Sequence, residues 1–312
     1  MVNPLTLFQS VLLLFLLMIP GYLLRKCKIG GETLPRDLSN IILYVAQPAM
    51  IVAAFVRDFD KEVAFNAAGV LVFSFIAHTI FYLLAKLFFR SAPHEIAKIY
   101  RFGVIFSNSG YMGIPLIMAI FDESAAIYAS VYIIAFNFFT WSLGCLIYSE
   151  DKSYISPRKM FINPATIPIY IGIIVFLLPI NQYIPGVVVD AMNKFSGVVA
   201  PISMMLIGML LADVKLKTAF FDRYLWEALA VRLLLFPALI WGVVKLVSLS
   251  GIYNSEIATA VTLICAATPS AAATGMFATK FGCDTQTASK FVSISTIFSI
   301  LTMPIVALLL KL

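Results

Sequence analysis

The chain has 312 residues, of which 61% are hydrophobic and 12% charged, with a net charge of +6 and a mean hydropathy of +0.97. Soluble domains carry about 25% charged residues, so this composition cannot clothe a water-facing surface and excludes a soluble enzyme or a nucleic-acid-binding domain. Apolar runs near the ~20 residues that cross a bilayer as a helix recur throughout, and the ten-residue alternation of a β-barrel is absent.

The chain therefore reads as an all-α polytopic membrane protein. Ten transmembrane helices follow in chain order, at 5–24, 36–56, 63–87, 98–121, 126–149, 162–180, 187–212, 224–248, 256–280 and 287–310. In the first, the apolar run precedes Arg25, Lys26 and Lys28, the reverse of a secretory leader. The second carries Gln47 and Pro48. The third has His78 midway, which could carry a proton, touch an anion, or pack as a hydrogen-bonded ring. The fourth is interrupted by SNSGYMGIP (107–115). After the fifth comes the longest connection, EDKSYISPRKMFIN (150–163), then the sixth. The seventh holds Pro201 and Ser203 and ends near Asp213. Arg232 in the eighth either snorkels to the cytoplasm or pairs with Glu227. The ninth is interrupted by ATPSAAATG (267–275). Cys27, Cys145, Cys265 and Cys283 lack metal-ligand spacing and read as free packing thiols. With only His78 and His94, a His-rich metal site is excluded. Neither a P-loop nor H-E-x-x-H nor G-x-S-x-G occurs. No cofactor, metal or enzymatic role is expected.

Lys and Arg counts give the orientation. With both termini outside, the cytoplasmic connections carry 16 basic residues and the outer segments four: Arg57, Lys61, Lys194 and Lys311. Lys215 and Lys217 are among the cytoplasmic ones. The central basic connection divides the chain at 150/151 into two five-helix sets, 1–150 and 151–312. YVAQPAMIVAAFVRD (44–58) matches VVAPISMMLIGMLLAD (198–213) in the placing of its proline and charged exit, and the interruptions of spans four and nine match each other. Because five is odd, the second set starts from the opposite side, giving a 5+5 inverted repeat, a construction common in secondary transporters.

Asn108 lies about 15 Å into span four and Pro269 roughly 20 Å into span nine at helical rise, so both interruptions fall near the bilayer midplane. Backbone freed there must be buried in protein or line a wet cavity. New half-helices should begin at about Gly113–Pro115 and Ser270–Ala272, with Pro115 in a first turn where its missing N–H costs nothing. Both would aim positive N-terminal ends at the centre, a setting for an anion. The expected substrate contacts are Asn108, Ser109, Gly110, Gly113 and Pro115, with Thr268, Pro269, Ser270 and Ala271 opposite.

At these residues the chain resembles the auxin efflux carrier family, which includes plant auxin carriers and many bacterial permeases. Asn108-Ser-Gly-Tyr-Met-Gly113-Ile-Pro115-Leu is similar to that family's N-x-x-x-M-G-I-P-L. Thr268-Pro269-Ser270-Ala271 and FGCDTQTASKFVSISTIFSILTMPIV (281–306) are similar to its last two helices. The resemblance covers essentially the whole chain, without the long cytoplasmic insert of some plant members. It implies an NhaA-like and bile-acid-transporter-like fold with broken helices four and nine crossing. Helices one, two, six and seven would be a scaffold, helices three to five and eight to ten a mobile transport domain. Gln47, Pro48, Pro201 and Ser203 would be scaffold-side neighbours of the substrate. It also implies a homodimer in a bacterial inner membrane. Plant members often carry Gln after the span-nine proline where this chain has Ser270, which points away from auxin itself; the resemblance to bacterial members implies small carboxylates such as malate or malonate, with an auxin-like carboxylate as the other option.

The expected function is a secondary transporter of a small organic anion working by alternating access. The alternatives are a sodium- or proton-coupled symporter of the bile-acid-transporter type, and a channel or non-transporting substrate sensor.

Overall fold

The computed structural model describes residues 4–121, 125–213 and 221–309. Lys215, Lys217 and Lys311, used above for orientation, lie outside these residues. Helices α1 (Pro4–Lys26), α2 (Leu34–Phe55) and α3 (Lys61–Ala85) occupy the first three predicted spans. The fourth is divided into α4 (His94–Ile105) and α5 (Ser109–Phe121). After α6 (Ala126–Ser149) come the short α7 (Pro157–Phe161) and α8 (Ile167–Leu177). Then follow α9 (Gly186–Ala212) and α10 (Arg223–Leu249). The ninth span is divided into α11 (Glu256–Ala267) and α12 (Ala273–Lys280), and α13 (Thr285–Leu309) closes the chain. Every regular element among the described residues is a helix. Seven of them (α1, α2, α3, α6, α9, α10 and α13) are long and apolar enough to cross a membrane, while α5, α8 and α11 are apolar but shorter.

The sixth predicted span departs most from the sequence reading. Only the 11 residues of α8 are helical, about 16 Å at 1.5 Å per residue. The cause is local. Asn163 Oδ1 accepts from the Ala165 and Thr166 N–H groups at 2.9 and 3.1 Å, a turn that uses up the donors a longer helix would need.

A second local rule runs through the bundle. Among the described residues four helical turns are widened to i→i−5 bonding: Ile42–Ala46, Ser109–Gly113, Thr140–Gly144 and Val231–Leu235. Three of them begin six residues before a proline, at Pro48, Pro115 and Pro237. Proline offers no N–H and crowds the carbonyl four residues back. A wider turn just upstream swings that carbonyl away and lets the helix continue. Pro115 is therefore not in a first turn as expected. The half-helix begins at Ser109, and the widened turn accommodates the proline instead.

Two apolar clusters make the core. One joins α1, α2, α5, α9 and α11 through residues such as Met18, Met50, Ile117, Ile207 and Ile264. The other joins α3, α4, α10, α12 and α13 through Phe81, Phe102, Phe236, Phe277 and Phe291. Within the first, α1 runs along α9 at backbone contact. A Cβ on Gly21 would strike the Met205 carbonyl, and one on Gly208 would strike that of Met18. Small residues permit this approach, which is how helices gain packing energy inside a membrane.

At one end of the second cluster Asp222 ties three helices together. It accepts from Tyr100 Oη at 2.7 Å and Lys290 Nζ at 2.5 Å, and caps α10 through the Tyr224 and Leu225 N–H groups at 3.1 Å. Burial pushes its pKa up, but the Lys290, Tyr100 and Leu225 hydrogen bonds outweigh burial and hold the carboxyl below its ordinary range.

Two outcomes are expected. Gly208→Val should destabilise the detergent-solubilised protein by about 1–3 kcal/mol through overpacking, whereas Gly197→Ala, which meets nothing within 4 Å, should leave thermal unfolding unchanged. A carboxyl depressed by folding stabilises fully above the unfolded pKa of about 3.9 and loses that contribution as pH falls through the folded value. Asp222→Asn should thus lower the melting temperature at pH 7 and flatten its decline below about pH 5.

Candidate functional site

The two interruptions lie side by side. After Ile105 and after Ala267 the chain turns extended, at Phe106 and Thr268. The two extended pieces pair antiparallel about Ser107 and Ser270. The Asn108 N–H donates to the Pro269 carbonyl at 2.8 Å, and the Ala271 N–H to the Phe106 carbonyl at 2.9 Å. Each break therefore satisfies part of the other's backbone, as buried irregular chain must.

The carbonyl ends of α4 and α11 have a different partner. Arg232 is fully buried. Its Nη1 donates to the Val104 carbonyl at 2.9 Å, and its Nε and Nη2 to the Thr268 carbonyl at 3.0 and 2.9 Å. Nη2 also donates to the Ala266 carbonyl. The sequence reading offered Glu227 as a partner or a snorkel to the cytoplasm, and neither is found. Glu227 instead accepts from the Phe89 N–H at 3.1 Å, and among the described residues no carboxylate lies within ion-pair distance of Arg232. The widened turn Val231–Leu235 carries the guanidinium inward.

The opposite ends remain open. The first N–H groups of α5, which starts at Ser109, have no intrahelical acceptor. Asn108 stands at the capping position but its side chain makes no capping bond. A cavity of about 160 Å³ lies here. Its deep wall is Ser107, Asn108, Gly110 and Ala271–Ala273, and its sides include Gln47, Tyr111, Phe136, Thr140, Trp141 and Phe277. Three buried polar atoms of lining residues lack partners among the described residues: Ser107 Oγ, Asn108 Nδ2 and Thr140 Oγ1. Among the described residues, none that lines the cavity is charged. At the rim, Lys159 and Lys280 place Nζ 5.3 and 4.7 Å from the centre of the Trp141 ring, and neither has a carboxylate partner among the described residues.

The expected site residues divide into two groups. Asn108, Gly110, Ala271 and Gln47 line the cavity. Thr268, Pro269 and Ser270 instead build the turn: the Thr268 hydroxyl donates to the Cys265 carbonyl at 2.9 Å, and the Ser270 hydroxyl is 3.0 Å from that of Thr274. Ser109 is not in the lining, and its buried Oγ has no partner among the described residues. Gly113 and Pro115 are buried within α5, where a Cβ on Gly113 would meet Cys265 Sγ and Thr268 Cγ2 at 3.5 Å. Pro48 follows the widened turn of α2. Pro201 and the buried Ser203 sit in α9, which packs against the Ser109–Gly113 turn. His78 does not reach the cavity. Its Nδ1 lies 2.7 Å from the Ser74 carbonyl, and its ring stacks on Phe139 at 5.4 Å with Tyr132 and Phe106 close by.

Sequence reasoning missed Ser107, Tyr111, Thr140 and Trp141. Thr140–Trp141 opens a widened turn that no proline announces. The second residue of each of the other three widened turns is Leu43, Gly110 or Arg232, and the first two of these line the cavity with Trp141.

The sequence profile of the membrane transport protein family matches residues 6–157 and 153–307. The chain belongs to that family, the auxin efflux carrier-like transporters. Two archaeal relatives extend the match across nearly the whole length. The chain is 24% identical over 302 residues to an uncharacterized transporter of Methanocaldococcus jannaschii, covering 93% of this chain and 94% of that one. It is 26% identical over 302 residues to an uncharacterized transporter of Methanothermobacter thermautotrophicus, covering 95% and 96%. An integral membrane protein of a transporter family is the frame in which the cavity has to be understood.

The pairing of the breaks leans on one side chain outside them. The Ser270 N–H donates to Ser295 Oγ of α13 at 3.1 Å. Ser295→Ala leaves that buried donor unpaired and should destabilise the protein by about 1–3 kcal/mol, read as a lower melting temperature, without altering any cavity-lining residue.

Proposed function

We propose that this transporter carries a small organic monocarboxylate across the membrane by alternating access at the paired interruptions. The observation that carries this reading is the set of unpartnered donors, Ser107, Asn108 and Thr140, placed where α5 begins. Two helix N-termini of roughly half a positive charge each favour one negative charge. The walls are largely apolar and aromatic, with Tyr111, Phe136, Trp141 and Phe277. They suit a carboxylate with an apolar body. A second carboxylate, as in malate or malonate, would meet no charged lining residue, and an unpaired charge in such a site is strongly unfavourable.

In this reading ten helical spans form two inverted five-helix repeats, 1–150 and 151–312, both termini lie outside, and the broken fourth and ninth spans cross at the midplane. The scaffold is the first, second, sixth and seventh spans, and dimers form through it. Gln47 faces the substrate from the scaffold, with Pro48, Pro201 and Ser203 setting the shape of its helices. A second cavity of about 220 Å³ supports the alternating part of the reading. It is lined by Met50, Arg57, Met118, Asn193 and Ser196, on α2, α5 and α9 and the residues just beyond α2. The two cavities thus share α2 and α5, one toward the basic rim of Lys159 and Lys280 and one toward Arg57. His78 serves packing of the mobile helices.

The test is a binding titration of the purified protein with phenylacetate, hexanoate, malonate and malate. The monocarboxylates should bind more tightly than the dicarboxylates. Asn108→Ala removes one donor to a charged acceptor, worth about 1.5–3 kcal/mol, so its Kd should rise about tenfold to a hundredfold with an unchanged melting temperature. Equal binding by Asn108→Ala, or preference for dicarboxylates, contradicts this assignment.

A further inference from the structure

The carbonyl ends of two broken helices that lie together concentrate negative charge and favour a cation beside them. Each contributes roughly half an elementary charge, so α4 and α11 together present about one. Exposed carbonyl oxygens at that place are also what a sodium ion would take as ligands, since alkali cations favour oxygen donors and broken-helix carbonyls commonly hold them. In this protein the position is filled by a side chain. The Arg232 guanidinium meets carbonyls from both ends, Val104 on one side and Ala266 and Thr268 on the other. It is fully buried and has no carboxylate partner among the described residues. It also faces the ring of Phe81 at 5.7 Å, a surface that favours a cation. A guanidinium stays charged in proteins, and its planar fork serves several carbonyls at once.

We propose that Arg232 is a tethered counter-cation that stands in the position of a coupling ion, so that carboxylate binding at the interruptions is independent of sodium. The inference deepens the transport reading above and rests on it for the identity of the anion. The charges balance without a mobile ion. Two carbonyl ends face one guanidinium, and two N–H ends face one carboxylate. Thr268 joins the two halves of this balance. Its carbonyl is held by Arg232, and Pro269, Ser270 and Ala271, which follow it, pair with Asn108, Ser295 and Phe106. Removing the charge from Arg232 should therefore be felt in anion affinity through the turn, although Arg232 is not among the lining residues.

The experiment compares wild type, Arg232→Gln and Arg232→Lys as purified full-length proteins. Phenylacetate is titrated at pH 7 with 150 mM sodium and with N-methylglucamine at equal ionic strength. Wild type should change its Kd less than twofold between the two salts. Arg232→Lys keeps the charge and should stay within about threefold of wild type, again without regard to sodium. Arg232→Gln keeps hydrogen-bond donors but no charge. Its affinity in N-methylglucamine should fall tenfold or more and recover in part with millimolar guanidinium or with sodium. A wild-type Kd that tightens tenfold with sodium overturns the proposal, and so does an Arg232→Gln protein that binds as wild type in N-methylglucamine. If Arg232→Gln does not fold, the sodium comparison on wild type and Arg232→Lys decides by itself. Should phenylacetate not bind wild type at all, the carboxylate reading fails separately. The tethered cation is then judged without ligand, by whether guanidinium raises the melting temperature of Arg232→Gln by several degrees over N-methylglucamine while wild type gains nothing. No selective gain overturns it.

Discussion

Breaking a helix inside apolar surroundings strands the last carbonyls of its first half. Here two such ends lie together, those of α4 and α11, and the guanidinium of Arg232 binds both. Much of the centre of the molecule follows from that contact. It holds the extended residues after α4 and α11 at a separation where they can pair, with the Asn108 N–H on Pro269 and the Ala271 N–H on Phe106. A buried donor removed from such a network leaves uncompensated polar groups, a penalty larger than the worth of the bonds themselves. The widened turn of α10 belongs to the same construction, because it sets the direction in which Arg232 leaves its helix.

With the carbonyl ends satisfied from behind, the N–H end of α5 and the side chain of Asn108 are left facing open space. The cavity lies there because no described side chain fills that space. Ser270 could have supplied a hydroxyl, but it is turned toward Thr274. Ser107, Asn108 and Thr140 bring unpartnered polar atoms to the lining, beside Gln47, Tyr111, Asn137 and Asn163, with aromatic side chains around them.

The two apolar clusters have different physical character. Around α1 and α9 the backbones touch at Gly21 and Gly208, a tight and rigid seam. Around α3, α4, α10, α12 and α13 the contacts are between aromatic rings, such as Phe81 on Phe236 at 4.2 Å and Phe102 on Phe277 at 5.0 Å. The cavity draws its lining from helices of both clusters: α2 from the first and α12 from the second.

Much was legible in the residues alone. Hydrocarbon-length runs set off by basic connections give the helices, and Gly, Ser and Pro in the middle of two of them mark the interruptions, because proline and glycine act on the backbone wherever they stand. Asn108 and Gly110 could be placed at an interruption for the same reason, and both line the cavity there. Three things were decided by the tertiary structure. Pro115 lies inside α5 and not at its start, since a widened turn absorbs the missing N–H. Thr268, Pro269 and Ser270 spend their polar groups on the turn, since Ser295, Thr274 and Asn108 come within reach only after folding. Arg232 caps two carbonyl ends contributed by residues 34–36 and 128 positions away in the chain. A local pattern determines where a backbone must break; which distant group will satisfy the broken ends depends on hydrogen bonds between segments, and those exist only once the helices are packed.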